Sequence, residues 1–258
     1  MEENKTHLCF LGTGDSTPEE NQDTASLIIN KKYLVDTGWS SLQSLRQCGL
    51  NPSDIEIIFL THCHHDHYLA LPSHFYWWMR MGKRLDDLKI VGPAKEIRKV
   101  VDLTINFLKE SAKSIGYPQL IELSPNEIYE DQNIYVETIK AVHQVPTLSY
   151  KFKDLKSGKS IIISGDSAYS EKLIEFARGS NALVHEAGLG LSEYLAEAES
   201  KRLHSTVEQA CEVAQAAEVD LLFLVHLQDV YKKEALEVGK KIFSGKTYKP
   251  FLGEIFLI

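Results

Sequence analysis

The chain has 258 residues, 43% of them hydrophobic and 25% charged, an ordinary globular composition with enough apolar side chains for a sizeable core. Its formal net charge of -8 gives no general pull toward nucleic acid, so a polyanionic substrate would need a local basic patch. Cys9, Cys48, Cys63 and Cys211 are scattered without a CxxC pair, which argues against a zinc ribbon or a redox motif. The first residues are polar, no apolar run approaches a membrane span, and no linker or repeat divides the chain. The expectation is one reduced, cytoplasmic domain over residues 1–258.

In chain order, His7 to Leu11 reads as a strand running into the loop Gly12-Thr13-Gly14-Asp15-Ser16. Ser26 to Asn30 and Tyr33 to Val35 flank Lys31-Lys32 as a hairpin, followed by the turn Asp36-Thr37-Gly38. Ser40 to Gln47 has helical spacing, and Gly49 can stop it. Ile55 to Leu60 is a continuous apolar run, expected as a buried strand. His74 to Met81 is aromatic and helical, Lys89 to Val91 is a strand ending in the turn Gly92-Pro93, and Ala94 to Ile115 is a long helix. Ile134 to Val142 alternates and ends at His143. Tyr150 to Lys153 and Ser160 to Ser164 flank Lys156-Ser157-Gly158-Lys159 as a hairpin, the second strand ending at Gly165-Asp166. Leu183 to His185 ends at Glu186, Thr206 to Ala217 is a helix, and Leu221 to Val225 ends at His226. Strands and helices alternate, and a polar residue able to bind metal repeatedly closes an apolar strand.

Thr61-His62-Cys63-His64-His65-Asp66-His67 is the most informative stretch, because four of the chain's ten histidines fall within it. Imidazole and carboxylate together suit zinc, manganese or iron. His62 and His64, two apart on an extended loop, face one way, while Cys63 points away. Asp66 and His67 follow where the chain can turn toward a second ion. One loop cannot close two coordination spheres, so His143, Asp166 and His226 are the further candidates. Asp166, with two carboxylate oxygens, can bridge.

The pattern His62-x-His64-x-Asp66-His67, then His143, Asp166 and His226, resembles the metallo-β-lactamase superfamily along almost the whole chain. That resemblance implies an αββα sandwich and two divalent ions, zinc first, with manganese or iron as alternatives. It implies a first ion on His62, His64 and His143 and a second on Asp66, His67 and His226, with Asp166 between them. Gly12-Thr13-Gly14, Asp36-Thr37-Gly38, Asp66 to Pro72, Val91-Gly92-Pro93, Ser164-Gly165-Asp166, His185-Glu186-Ala187 and His204-Ser205-Thr206 look like the ribonuclease Z branch. In that branch the pair matching Glu186 and His204 assists phosphodiester cleavage. His204, held by Glu186, is therefore expected as general acid for the leaving alkoxide, and Asp66 as the group that orients the attacking hydroxide.

Three departures accompany the match. The tRNA-binding arm between the third-motif histidine and the bridging aspartate is replaced by a short hairpin between His143 and Asp166. His226 is followed by Leu227-Gln228-Asp229 rather than by a Ser and an Arg, and the Arg usual after the early glycine loop is absent. The expectation is a phosphodiesterase acting on a small-molecule or short phosphodiester substrate, with tRNA and membranes not expected as partners and a homodimer compatible with the sequence. The competing reading is a hydrolase of a lactone, thioester or β-lactam. A redox di-iron protein is disfavoured because those relatives carry a carboxylate where this chain has His64. The intact ligand set argues against a non-catalytic binding module. Phe75 to Trp78 and the lysine-bearing hairpin 150–160, together with Arg80, Lys83 and Arg84, are further candidates for substrate contact.

Overall fold

The apolar strand runs pair into two sheets, as seen in a computed structural model that describes residues 5–108, 116–195 and 203–258. The first sheet has the order β14-β1-β2-β3-β4-β5-β6. Its strands are β1 (His7–Gly12), β2 (Ser26–Ile29), β3 (Tyr33–Val35), β4 (Ile57–Phe59), β5 (Lys89–Pro93), β6 (Gln119–Leu123) and β14 (Ile255–Leu257). The second has the order β13-β12-β11-β10-β9-β8-β7. It is built from β7 (Ile128–Glu130), β8 (Ile134–Lys140), β9 (Leu148–Asp154), β10 (Ser160–Ile163), β11 (Ala182–Glu186), β12 (Leu221–Val225) and β13 (Lys246–Tyr248). Each sheet begins with antiparallel hairpins and continues as parallel strands.

The inner faces of the sheets share one core. Phe10, Phe59 and Tyr33 from one sheet meet Tyr150, Phe152 and Phe223 from the other. Phe59 packs edge-on to Phe152 with ring centroids 4.8 Å apart. The Tyr150 hydroxyl donates to the Leu60 carbonyl at 2.7 Å, tying the second sheet to the base of the histidine loop. Burying each such side chain contributes ~2 kcal/mol.

Helices cover both outer faces. On the first sheet lie α1 (Ser41–Gln47), α2 (His65–Tyr68), α3 (Leu71–Arg80) and α4 (Glu96–Leu108), packed on Leu34, Ile58 and Ile90. On the second lie α5 (Glu171–Ala177), α6 (Val207–Ala216) and α7 (Lys232–Ile242), packed on Ile162, Leu183 and Leu222. Helix, sheet, sheet and helix make an αββα sandwich.

The expected elements differ from the observed ones in instructive ways. Gly92 and Pro93 belong to β5 rather than to a turn, because they pair with Glu122 and Leu123 of β6. A Cβ on Gly92 would lie 2.5 Å from Ile97 Cγ2, so the residue needs the absence of a side chain rather than a turn conformation. The helix expected over 94–115 starts at Glu96, and residues 109–115 lie outside the described residues. Phe75 and Trp78 are buried in the outer core of α3, and Tyr76 and Trp77 line an apolar groove with Met81 and Phe107. Lys83 donates to the Ser53 carbonyl and Arg84 pairs with Asp86, both away from the histidines. The lysine hairpin turns at the end of the sandwich opposite His143, where Asp154 is held by Thr6 and Asn30.

Candidate metal centre

β1, β3, β4, β8, β10, β11 and β12 all run toward one edge of the sandwich, and the residue or loop that follows each strand lies along that edge. Backbone ladders end there, so side chains replace neighbouring strands as the contacts of the chain. The extended segment 62–64 gives way to α2, which explains the division of labour in the cluster. His62 and His64 face one side from the extended part, while Asp66 and His67 share the short helix. Cys63 turns into the outer core, where burial pushes its thiol up to about 12.

All seven sequence-predicted ligand candidates converge. His64 Nδ1 lies 3.1 Å from His62 Nε2 and 3.1 Å from His143 Nε2. Asp66 Oδ2 lies 3.4 Å from both His67 Nε2 and His226 Nε2. Asp166 stands between the two groups. Its Oδ2 is 3.7 Å from His62 and 3.5 Å from His226, and its Oδ1 is 3.5 Å from His67. Two atoms each ~2.1 Å from a common ion at a tetrahedral angle are about 3.4 Å apart. The observed spacings match that figure, and they are too long or wrongly paired for a network of good hydrogen bonds.

The electrostatics point the same way. Burial acts to raise Asp166, yet His226, His67 and His62 hold its carboxyl well below the ordinary range. Burial likewise acts to lower His226, and Asp166 and Asp66 outweigh it and carry the imidazole up to about 9. Two buried carboxylates thus create a field that demands positive charge. His67 Nε2 is fully buried with no hydrogen-bond partner, an arrangement that costs stability unless something else binds there. Soft-to-borderline imidazoles with hard carboxylates are the donor set of a divalent transition-metal site, and the residues present fit such ions.

A supporting shell fixes these side chains, and sequence reading found little of it. Asp36 accepts from His67 Nδ1 at 2.8 Å and from the Thr61 amide and hydroxyl at 2.8 Å each. The bond turns the lone pair of His67 Nε2 toward Asp66 and Asp166. Thr24 donates to the Asp66 carbonyl at 2.6 Å, and His143 Nδ1 donates to the Leu203 carbonyl at 3.0 Å. Asp36 and His226 have φ of 53° each, left-handed conformations that ordinary side chains avoid, so both positions carry backbone strain. Gly165, with φ of 61°, makes the turn that aims Asp166 inward. Asp36 had a detectable signal, since it too follows an apolar strand.

Glu186 and His204 form a second unit on the open side. His204 Nδ1 is 2.9 Å from Glu186 Oε1, which also accepts from the Ser167 and Ser205 amides at 2.9 and 3.2 Å. Glu186 Oε2 accepts from the Gly188 amide at 2.7 Å, so the carboxylate cannot rotate freely. A Cβ on Gly188 would stand 2.8 Å from His226 Nδ1 and 3.3 Å from His204 Nδ1, which leaves room only for glycine. Burial acts to lower His204, but Glu186 outweighs it and the imidazole titrates above its usual value. His204 Nδ1 is also 3.9 Å from Asp166 Oδ2, and His204, like His64, is part-exposed, whereas His62, Asp66, His67, Asp166 and His226 are buried.

Where the expected Ser and Arg contacts are missing, acids and amides tie the rim together. Gln228 Nε2 donates to Asp15, the Asp229 amide to Glu19, and Gln22 to Asp229. Lys249, fully enclosed, spends its ammonium on Asp229 Oδ1 at 2.9 Å and on the Thr13 hydroxyl at 2.7 Å.

This sandwich and edge define a metal-dependent hydrolase of the metallo-β-lactamase superfamily, in its ribonuclease Z-like branch. Residues 6–247 match the family model described as anti-Pycsar protein Apyc1, and the chain belongs to that family. It is similar to ribonuclease Z of Nanoarchaeum equitans, 27% identical over 289 residues that cover 93% of this chain and 89% of the relative. Among solved structures, the metallo-β-lactamase fold protein YhfI from Bacillus subtilis superposes with a TM-score of 0.82, 18% identity and coverage of 99% and 100%. The short form of human tRNase Z superposes with a TM-score of 0.76, 19% identity and coverage of 97% and 98%.

Proposed function

We propose that the chain is one catalytic domain, a two-metal phosphodiesterase acting on a substrate smaller than tRNA, in the cytoplasm. The observation that carries this reading is the pairing of the seven-ligand centre with the hydrogen-bonded His204–Glu186 unit beside it. A phosphodiester expels an alkoxide that needs a proton, and a positioned acid beside the centre can supply it, whereas a thioester expels a thiolate that departs without one.

In this reading His62, His64 and His143 would hold one zinc ion and Asp66, His67 and His226 the other, with Asp166 available to both. Bound there, the ions supply an acidified water and Lewis-acid stabilisation of negative charge on phosphorus-bound oxygens. Asp66 accepts a hydrogen bond from the attacking water and orients it. His204 donates its proton, from the Nε2 edge that Glu186 does not occupy, to the departing oxygen. Glu186, locked by three amides, keeps Nδ1 protonated and the ring in place. The short chain path from His143 to Asp166, only β9, β10 and the turn between them, offers no arm to grip tRNA.

The test is a substrate panel on metal-reconstituted protein: bis(p-nitrophenyl) phosphate, a lactone and a β-lactam. Diester turnover is expected to lead; preferential turnover of the lactone or β-lactam would replace this reading with the carbonyl-hydrolase alternative.

A further inference from the structure

Three of the histidine ligand candidates that face the centre through Nε2 have a partner on the other ring nitrogen. His67 Nδ1 meets Asp36 at 2.8 Å, His62 Nδ1 the Thr61 hydroxyl at 3.1 Å, and His143 Nδ1 the Leu203 carbonyl at 3.0 Å. His226 Nδ1 is buried and has no hydrogen-bond partner among the described residues. His226 is also the one ligand candidate of the seven with a left-handed backbone, at φ of 53°. A bond to the outer nitrogen is the usual device that sets the orientation of a ligand imidazole. Strained backbone in turn persists only where its surroundings over-determine it. His226 must therefore be aimed through its main chain, and something must hold that main chain.

The hold comes from the ends of two neighbouring strands. The Leu227 amide, on the peptide bond that leaves His226, donates to the Thr13 carbonyl at 3.2 Å, just past the end of β1. The same carbonyl accepts from Lys249 Nζ at 3.3 Å, and the Thr13 hydroxyl accepts from it at 2.7 Å. The ammonium also donates to Asp229 Oδ1 at 2.9 Å, in the turn that follows His226. Lys249 itself follows β13, whose parallel pairing with β12 sets it beside the strand that ends at His226. Its side chain is fully enclosed. Enclosing an ammonium is unfavourable unless its donors are used. Here its three protons face three acceptors of the protein, so none is left for a substrate. The lysine thus grips the His226 segment from both sides, through Thr13 and through Asp229.

We propose that Lys249 is a positioning residue for the second ion: its buried ammonium clamps Thr13 and Asp229 around the peptide that leaves His226, and so holds the left-handed backbone that aims His226 Nε2 at Asp66 and Asp166. This rests on the assignment of His226 to the second ion proposed above and adds to it the means by which that ligand is held.

The experiment equilibrates the zinc-loaded full chain against graded chelator and measures the zinc left per chain. The parent should release zinc in two steps, and the step missing from His226→Ala marks the second ion. In Lys249→Met that step should come at a zinc affinity roughly 10-fold lower or more, the scale of losing a ligand's support, while the other step stays in place. Methionine keeps the buried stem, and Asp229, nearly half exposed, can be solvated instead, so this variant is expected to fold. Its sign is diagnostic: removing a cation and leaving Asp229 would by charge alone tighten zinc binding, the opposite of the loss predicted. Thr13→Val cuts a bond from Lys249 without altering any charge, and should weaken the same step by a smaller factor. A second step that is unchanged or tighter in both variants, or two steps weakened equally, overturns the positioning role. A parent that never holds more than one ion instead strikes the two-ion assignment, and the inference falls with it.

Discussion

His204 differs from the other histidines of the cluster in its partner, the Glu186 carboxylate, and its role is testable as such. In His204→Ala the metal content should be unchanged, while hydrolysis of a diester with an alkoxide leaving group falls roughly 100-fold or more. Nitrophenolate leaves without protonation, so bis(p-nitrophenyl) phosphate should lose far less. Equal losses would make His204 an orienting group, and lost metal would make it a ligand. Glu186 raises the proton affinity of His204, so Glu186→Gln should move the alkaline limb of kcat to lower pH; a limb that stays in place would separate the two residues. The ligand candidates were legible in the sequence because four histidines crowd seven positions and because His143, Asp166 and His226 each follow an apolar strand. Asp36 follows an apolar strand as the ligand candidates do, but its bond across 31 residues to His67, like the Cβ that Gly188 must lack, leaves no periodic trace that would give it a role. The hairpin lysines lie at the opposite end of β9 from His143, away from the ligand candidates.

At the scale of elements, the loop carrying His204 ends in a capping box. Thr206 accepts from the Gln209 amide at 3.3 Å, and Gln209 returns a bond to the Thr206 amide at 3.0 Å. Together they fix the start of α6 two residues after the catalytic candidate. Thr206→Ala should cost about 1 kcal/mol in chemical denaturation. A variant as stable as the parent would show that the Glu186 bond to the Ser205 amide, not the cap, holds this loop. Strongly apolar strands such as β12 were readable from residue type alone. The edge strands β6, β7, β13 and β14 were not, because they are short and partly exposed, and their partners rather than their own sequence make them strands. Helices α5 and α7 went unread for a related reason: each has a narrow apolar stripe that only the underlying sheet gives meaning.

For the whole molecule, the question is what a ribonuclease Z-like centre does without the parts that grip tRNA. The net charge is negative, the path from His143 to Asp166 is a plain hairpin, and the rim beyond His226 is held by acids and amides. Gel assays on a precursor tRNA should show little or no cleavage at enzyme levels that turn over small diesters; efficient processing would mean that another surface replaces the arm. No described helix is long and apolar enough to cross a membrane.

Every chemical step assigned here depends on the seven ligand candidates holding two ions, with Asp166 shared between them. Elemental analysis after reconstitution with excess zinc and removal of the unbound metal measures this most directly. Two ions per chain are expected, falling toward one when His226 is replaced by Ala. A parent stoichiometry that never exceeds one, at any zinc concentration that leaves the protein folded, would contradict the two-metal centre and the mechanism built on it.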